Sequence, residues 1–258
     1  MLPFVNVGPV GFPTAPLIYI LGAWLALYVV DRAARRLGED SETLYALAAT
    51  TLIAGFVGAR LTFVLLHWSS FDDNLLGIFW PLTSGYSGFG GVLFAAAAAF
   101  FYARWKRIPL WTVLDALAPG LIVWLMVTSL ADFLGGPGYG TLTDLPWGIS
   151  QFGVRRHPVQ LYELLVGFLA LGAWWLASRP ERRAFAGRPF LMATSVYAGG
   201  RLFVEAFRDN AWYTAGGLHV VQILSLIIML GSLIFLARLS SRATTPAAEL
   251  PHPPSATS

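Results

Sequence analysis

The chain has 258 residues, of which 56% are hydrophobic and only 12% charged, with a mean hydropathy of +0.63 and a formal net charge of +3. That balance excludes an ordinary soluble domain and points to an integral membrane protein. Cysteine is absent, which excludes disulfides, thiolate metal sites and an acyl-cysteine intermediate on the protein itself, so any thiol in its chemistry belongs to a substrate.

In chain order, apolar runs of near-crossing length are expected at Val10 to Val30, Thr43 to Leu66, Ser87 to Ala103, Leu110 to Leu134, Val159 to Ala177, Pro189 to Phe207 and Leu218 to Ala237. The fold class is therefore all-α and polytopic, with about seven transmembrane helices in one membrane domain over residues 1–243. No basic n-region precedes Arg32, so the first run reads as a retained helix and not as a signal peptide. Residues 244–258, rich in Pro, Ala, Ser and Thr, read as a disordered cytoplasmic tail.

The basic residues alternate by loop. Arg32, Arg35 and Arg36 follow the first run, Arg104, Lys106 and Arg107 the third, Arg179, Arg182, Arg183 and Arg188 the fifth, and Arg238 and Arg242 the seventh. Together these place 12 of the 17 Lys and Arg residues on one side, which orients the N-terminus outward and the C-terminus to the cytoplasm. The net positive charge thus reports topology, and no nucleic-acid partner is implied.

The loop from Gly135 to His157 carries Gly-Gly-Pro-Gly-Tyr-Gly and ends in Arg155-Arg156-His157. Such a loop is either a plain Gly/Pro turn with interfacial arginines or a close-approach site for a polyanionic head group. The next span opens with His157-Pro158-Val159-Gln160-Leu161-Tyr162-Glu163, which sets an imidazole, an amide, a phenol and a carboxylate at the mouth of a lipid-embedded segment. Further ionisable residues fall inside spans: Arg60, Asp132, and Arg201 with Glu205. Arg201 and Glu205 are four apart on one helical face, so they form either an internal ion pair or part of a polar cavity that receives a charged substrate. Trp68, Trp80, Trp147 and Trp212 read as interfacial anchors.

Residues His157 to Glu163, together with G-R-L-F-V-E-A-F-R at Gly200 to Arg208, resemble two motifs of the bacterial prolipoprotein diacylglyceryl transferases. Supporting similarity lies at Gly58 to Leu65, Gly90-Gly91 and Gln222 to Leu226, and the resemblance runs from about Pro16 to Ala237. It implies transfer of a diacylglyceryl group from phosphatidylglycerol, or a related anionic lipid, to the lipobox cysteine of a preprolipoprotein. The active face would point to the periplasm or exterior of the bacterial cytoplasmic membrane, with no metal or organic cofactor. Arg201, Glu205, His157 and Glu163 are the implied catalytic set. Arg60, Arg156, Gln160, Tyr162, Arg208, Gly90, Gly91 and Gly140 are the implied substrate-binding set. His67 is a second candidate base, and Arg155 a second source of positive charge.

Two positions depart from the family pattern. Phe89 stands where a Ser-Phe-His-Gly-Gly element supplies a histidine, and Ser129 stands where an arginine is expected, with Asp132 in a position often held by asparagine. The sequence therefore supports a divergent transferase. Its alternatives are a paralogue that keeps the lipid cavity without the reaction or acts on another head group, and a transporter whose charges line a path.

Overall fold

The computed structural model describes residues 4–7, 10–72, 75–79, 85–135 and 137–244. Seven long helices follow one another: α1 (Thr14–Leu37), α2 (Ser41–Leu66), α3 (Gly88–Lys106), α4 (Leu110–Gly135), α5 (Val159–Ala177), α6 (Arg188–Val204) and α7 (Val220–Thr244). Six are long and apolar enough to cross a membrane; α6, at 17 residues, is the shorter one and tightens into a 3-10 turn at Glu205–Phe207. Among the described residues there are also two short antiparallel hairpins, β1 (Phe4–Val7) with β2 (Val10–Pro13), and β3 (Ile149–Gln151) with β4 (Val154–Arg156), and two 3-10 turns after α2, Trp68–Ser70 and Leu75–Phe79. The first apolar run thus begins as a strand and turns helical only at Thr14, and the helix continues past the expected end at Val30 to Leu37. Trp80, Gly136 and the tail from Thr245 onward lie outside the described residues.

Helix α4 is the centre, packed by α1, α5 and α6, while α2 and α3 form a pair that joins the bundle mainly through α1, and α7 leans on α6. The main core is built largely of small side chains: Ala33, Ala34, Ala116, Ala118, Ala170 and Ala193 surround Leu37, Leu44, Ile122 and Trp174. Lipid tails are as apolar as leucine, so helices in a membrane gain by close backbone approach, and alanine and glycine permit it. At the α2–α3 contact, a Cβ built on Gly55 would sit 3.3 Å from the carbonyl of Gly91, and one on Gly91 would sit 3.3 Å from the carbonyl of Gly55.

Helix ends are fixed locally. Asp40 caps α2, accepting from the amides of Glu42 (3.1 Å) and Thr43 (3.4 Å) and from the Thr43 hydroxyl (2.6 Å). These donors, the hydroxyl first, hold the Asp40 carboxyl below the usual carboxylate range. Inside α4, Pro119 has no N–H to give the carbonyl four residues back, which is that of Asp115. Trp174 of α5 donates its indole N–H to that carbonyl at 2.8 Å instead. The fully buried Asp115 carboxylate meanwhile caps α6 from across the bundle, accepting from the amides of Gly187 (2.7 Å) and Phe190 (2.9 Å). Arg183 reaches the same carboxylate and Glu39 at 3.6 Å each and donates to the carbonyl of Leu37, and Arg36 donates to Ser178. One end of the bundle, carrying the basic loops, is thereby stitched through α1, α4, α5 and α6.

Candidate active site

The opposite end holds the candidate site. The glycine loop and the short sheet form a cover over it. Thr141 donates to the carbonyl of Phe207 at 2.8 Å, His157 to that of Thr141 at 3.0 Å, and Gly140 bridges to Arg208. A Cβ on Gly140 would meet the backbone carbonyl of Phe207 at 3.0 Å and the His157 side chain at 2.8 Å, so only glycine lets these segments touch. The β3–β4 turn needs positive φ at both Phe152 (53°) and Gly153 (80°), which suits a tight two-residue hairpin.

Beneath the cover, four charged side chains from α5, α6 and the following turn interlock. Glu163, on the first turns of α5 and 5% exposed, pairs through one oxygen with both Arg201 and Arg208, and its other oxygen accepts from the Ser129 hydroxyl at 2.7 Å. Glu205, 1% exposed, accepts from Arg201 at 3.1 Å and from the Nε of Arg208 at 3.2 Å. Two carboxylates and two guanidiniums thus alternate, and each charge has two opposite neighbours. Burial of this kind is tolerable because every ion is paired and donated to; deleting one member leaves an uncompensated charge, at a cost of about 3–5 kcal/mol.

Of the catalytic set expected from sequence, Arg201, Glu205 and Glu163 come together here, and Arg208 joins them. Gln160, fully buried, donates to the carbonyl of Pro137 at 3.0 Å and leaves its amide oxygen without a partner. The ring of His157 lies beside Phe207 at 4.9 Å, and its Nδ1 is 3.2 Å from the Tyr162 hydroxyl, which accepts from the indole of Trp147 at 2.9 Å. The phenol proton then points most naturally to Nδ1. Arg156 pairs with Asp209 at 2.7 Å, donates to the carbonyl of Gly140 at 3.0 Å and lies over the ring of Tyr139.

Other expected residues lie elsewhere. Arg60 is buried in α2, but it donates to the carbonyls of Ile78 (2.9 Å), Gly77 (2.6 Å) and Gly85 (3.0 Å), organising the segment after α2. Gly90 and Gly91 face α2, where a Cβ on Gly90 would collide with Thr62. His67 sits exposed at the end of α2, stacked on Phe63 at 4.3 Å, with Nδ1 against the Phe63 carbonyl. Phe89 is 78% exposed, and no ring contact ties it to the charged cluster. Trp147 has a hydrogen-bonding duty that the anchor reading missed.

Sequence reading also passed over Tyr197, one helical turn before Arg201, which packs on the Val159, Val166 and Val204 cluster with Tyr162 and Phe207. Its i, i+4 spacing to Arg201 was the available signal. Asp115, a carboxylate early in an apolar run, was passed over as well.

A family model described as prolipoprotein diacylglyceryl transferase matches residues 4–238. A phosphatidylglycerol–prolipoprotein diacylglyceryl transferase of Geobacter sulfurreducens is 33% identical over 259 residues, covering 94% of this chain and 96% of the relative. One of the same description from Bordetella parapertussis is 31% identical over 257 residues (92% and 96%), and one from Enterococcus faecalis is 28% identical over 230 residues (84% and 83%).

Proposed function

Because the chain belongs to the prolipoprotein diacylglyceryl transferase family, we propose that it moves the diacylglyceryl group of phosphatidylglycerol onto the lipobox cysteine of preprolipoproteins, at the outer face of a bacterial cytoplasmic membrane. The observation that carries this reading is the interlocked Glu163, Glu205, Arg201 and Arg208 under a glycine loop. In the reaction a thiol loses its proton and its sulfur bonds to the glycerol carbon that bears the phosphoester. The carbon–oxygen bond breaks, and glycerol phosphate leaves with the electron pair. Charge develops on the leaving phosphate, where guanidinium donors stabilise it most. Arg201 and Arg208 are the groups for this task.

Glu205 and Glu163 hold the two guanidiniums in plane and in register. When the phosphate arrives it competes with those carboxylates, and the arginines return to them as product departs, so the carboxylates also limit how tightly product is held. Ser129 secures Glu163. His157, Tyr162 and Trp147 form a chain that braces the start of α5, Gln160 ties α5 to the glycine loop, and Arg156 keeps β4 against the segment after α6. Gly140 permits that contact, Arg60 shapes the loop after α2, and Gly90 and Gly91 seat α3. The orientation follows from the basic loops, which share the end held by Asp115 and Arg183 and would face the cytoplasm. The exposed end is then where a translocated acceptor arrives.

The test is transfer of labelled diacylglyceryl from phosphatidylglycerol vesicles to a lipobox peptide by purified protein. Arg201→Ala should lower transfer at least 1,000-fold, as expected for loss of a buried donor to developing charge, and Arg201→Lys should not restore it, because a point charge does not bridge two carboxylates. Undiminished transfer by either variant would overturn the assignment.

A second reading rests on one observation: the four-residue cluster sums to zero charge, and Ser129 adds no cation where the family places arginine. A paralogue that holds an anionic lipid without transferring it fits that neutrality. Folded protein that binds phosphatidylglycerol yet shows no transfer would favour it.

A further inference from the structure

The base that deprotonates the acceptor thiol is missing from the arrangement so far. Glu163 has both oxygens engaged, one by two guanidiniums and one by Ser129, and Glu205, 1% exposed, holds both Arg201 and Arg208 on its Oε2. His67 is tied to Phe63 at the end of α2, and the Nδ1 of His157 is taken by Tyr162. Phe89 offers no imidazole.

One carboxylate near the cluster is uncommitted. Asp132 lies three residues from the end of α4 and three after Ser129, hence on the same helical face as the serine that contacts Glu163. Among the described residues it has neither an ion pair nor a hydrogen bond. It is half-buried, so it is reachable. Gly138 separates it from the cluster: at φ +71° this position favours glycine, and a Cβ built there would lie 2.9 Å from Nη1 of Arg208 and 3.6 Å from Oδ2 of Asp132. Arg208, which also donates to the Gly138 carbonyl at 3.3 Å, and the Asp132 carboxylate therefore both lie close against the bare Gly138 backbone, which brings the two side chains near one another. A phosphate held by the outward-facing guanidinium and a thiol beside the half-buried carboxylate would then be neighbours, as displacement requires.

We propose that Asp132 is the general base of this chain, taking the proton of the acceptor thiol as its sulfur attacks. The proposal rests on the transferase reading above. The S–H bond breaks toward the Asp132 carboxylate while the S–C bond forms and the C–O bond breaks, its electron pair leaving on glycerol phosphate beside Arg208 and Arg201. Neutralising Asp132 at that moment removes a negative charge from beside the departing anion. Position near the helix end lets the proton pass to interfacial water afterwards. The titratable and charged groups around Asp132 are Arg208, the Tyr19 phenol of α1 and, past Ser129, Glu163 of α5.

Transfer by the full-length protein, measured from pH 7 to 9.5 with phosphatidylglycerol vesicles and a lipobox peptide, tests this. With Asp132 taking the proton as its carboxylate, the unmodified protein should show a nearly level profile across that range. Asp132→Asn should lose about 100-fold or more at pH 7. Its rate should then climb roughly tenfold per pH unit toward the ionisation of a free thiol near about 8.5. Asp132→Glu should keep measurable transfer with the level profile. Equal activity of Asp132→Asn and unmodified protein at every pH would overturn the base while leaving the transferase reading intact. A pH-independent loss in folded Asp132→Asn would also overturn it, in favour of a positioning role. No transfer by unmodified protein would defeat the transferase reading itself and this proposal with it.

Discussion

Each end of the bundle buries carboxylates at small cost, by different means. At the basic end, Asp115 spends its oxygens on two backbone amides of α6, with Arg183 at the margin. At the other, Glu163 and Glu205 bind side-chain guanidiniums that remain partly accessible, the Arg201 side chain at 20% and that of Arg208 at 14%. Backbone amides cannot turn toward a ligand, whereas guanidiniums on long stems can. The first arrangement can only fasten, whereas the second can also open toward a ligand, although both read in sequence as an acidic residue in an apolar helix.

The contrast can be broken by substitutions that separate activity from stability. Largest in effect should be Arg201→Ala, which removes transfer from the molecules that remain folded, beyond the roughly 3–5 kcal/mol of stability that its unpaired carboxylates cost. An unfolded protein instead would make the charged cluster a fastener too. Next is Asp115→Ala, expected to lower stability by about 3 kcal/mol or more, since two buried amides at the start of α6 lose charged acceptors. Thermal unfolding in detergent reads this, with catalytic rate per folded molecule unchanged.

A smaller effect, about 1–2 kcal/mol, is expected from Trp174→Phe, which strands the Asp115 carbonyl. Adding Pro119→Ala should recover most of it, because alanine brings back the N–H that the helix lacks there. If the double variant is no more stable than Trp174→Phe, the indole bond is not a substitute for the missing helical one. The smallest concerns Asp40. Its carboxyl is held below the usual range, so its stabilisation is present above the unfolded value of about 3.9 and is lost as pH falls through the lower folded value. Asp40→Asn should flatten that acid limb of the unfolding curve and change nothing at pH 7 beyond a weakened cap.

Hydropathy made the helices legible because a membrane span must satisfy its own backbone, and that demand writes a long apolar run into the chain. Alternating basic loops likewise gave the sorting of helix ends, which Arg36, Arg183 and Asp115 display at one end. Arg201 and Glu205 could be paired from spacing alone. The bond from Arg208 to Glu163 could not, since 45 residues intervene and only the fold brings them together. Arg60 misled for a related reason: an arginine in a span signals that polar partners exist, without saying whether they are phosphates or its own backbone. The N-terminal hairpin escaped because Val10 to Pro13 is as apolar as the helix it precedes.

Arg60 keeps its charge where Arg201 and Arg208 do not. Carbonyl groups are dipoles, so binding three of them secures the guanidinium without cancelling it, and among the described residues no carboxylate pairs with it. Arg201 and Arg208, by contrast, are locally balanced. A whole positive charge therefore stands buried in α2, where added salt screens it far less than it would an exposed side chain. The surroundings of Arg60 are thus biased toward anions with little dependence on salt, whereas the paired Arg201 and Arg208 show no net charge unless a carboxylate is displaced from them.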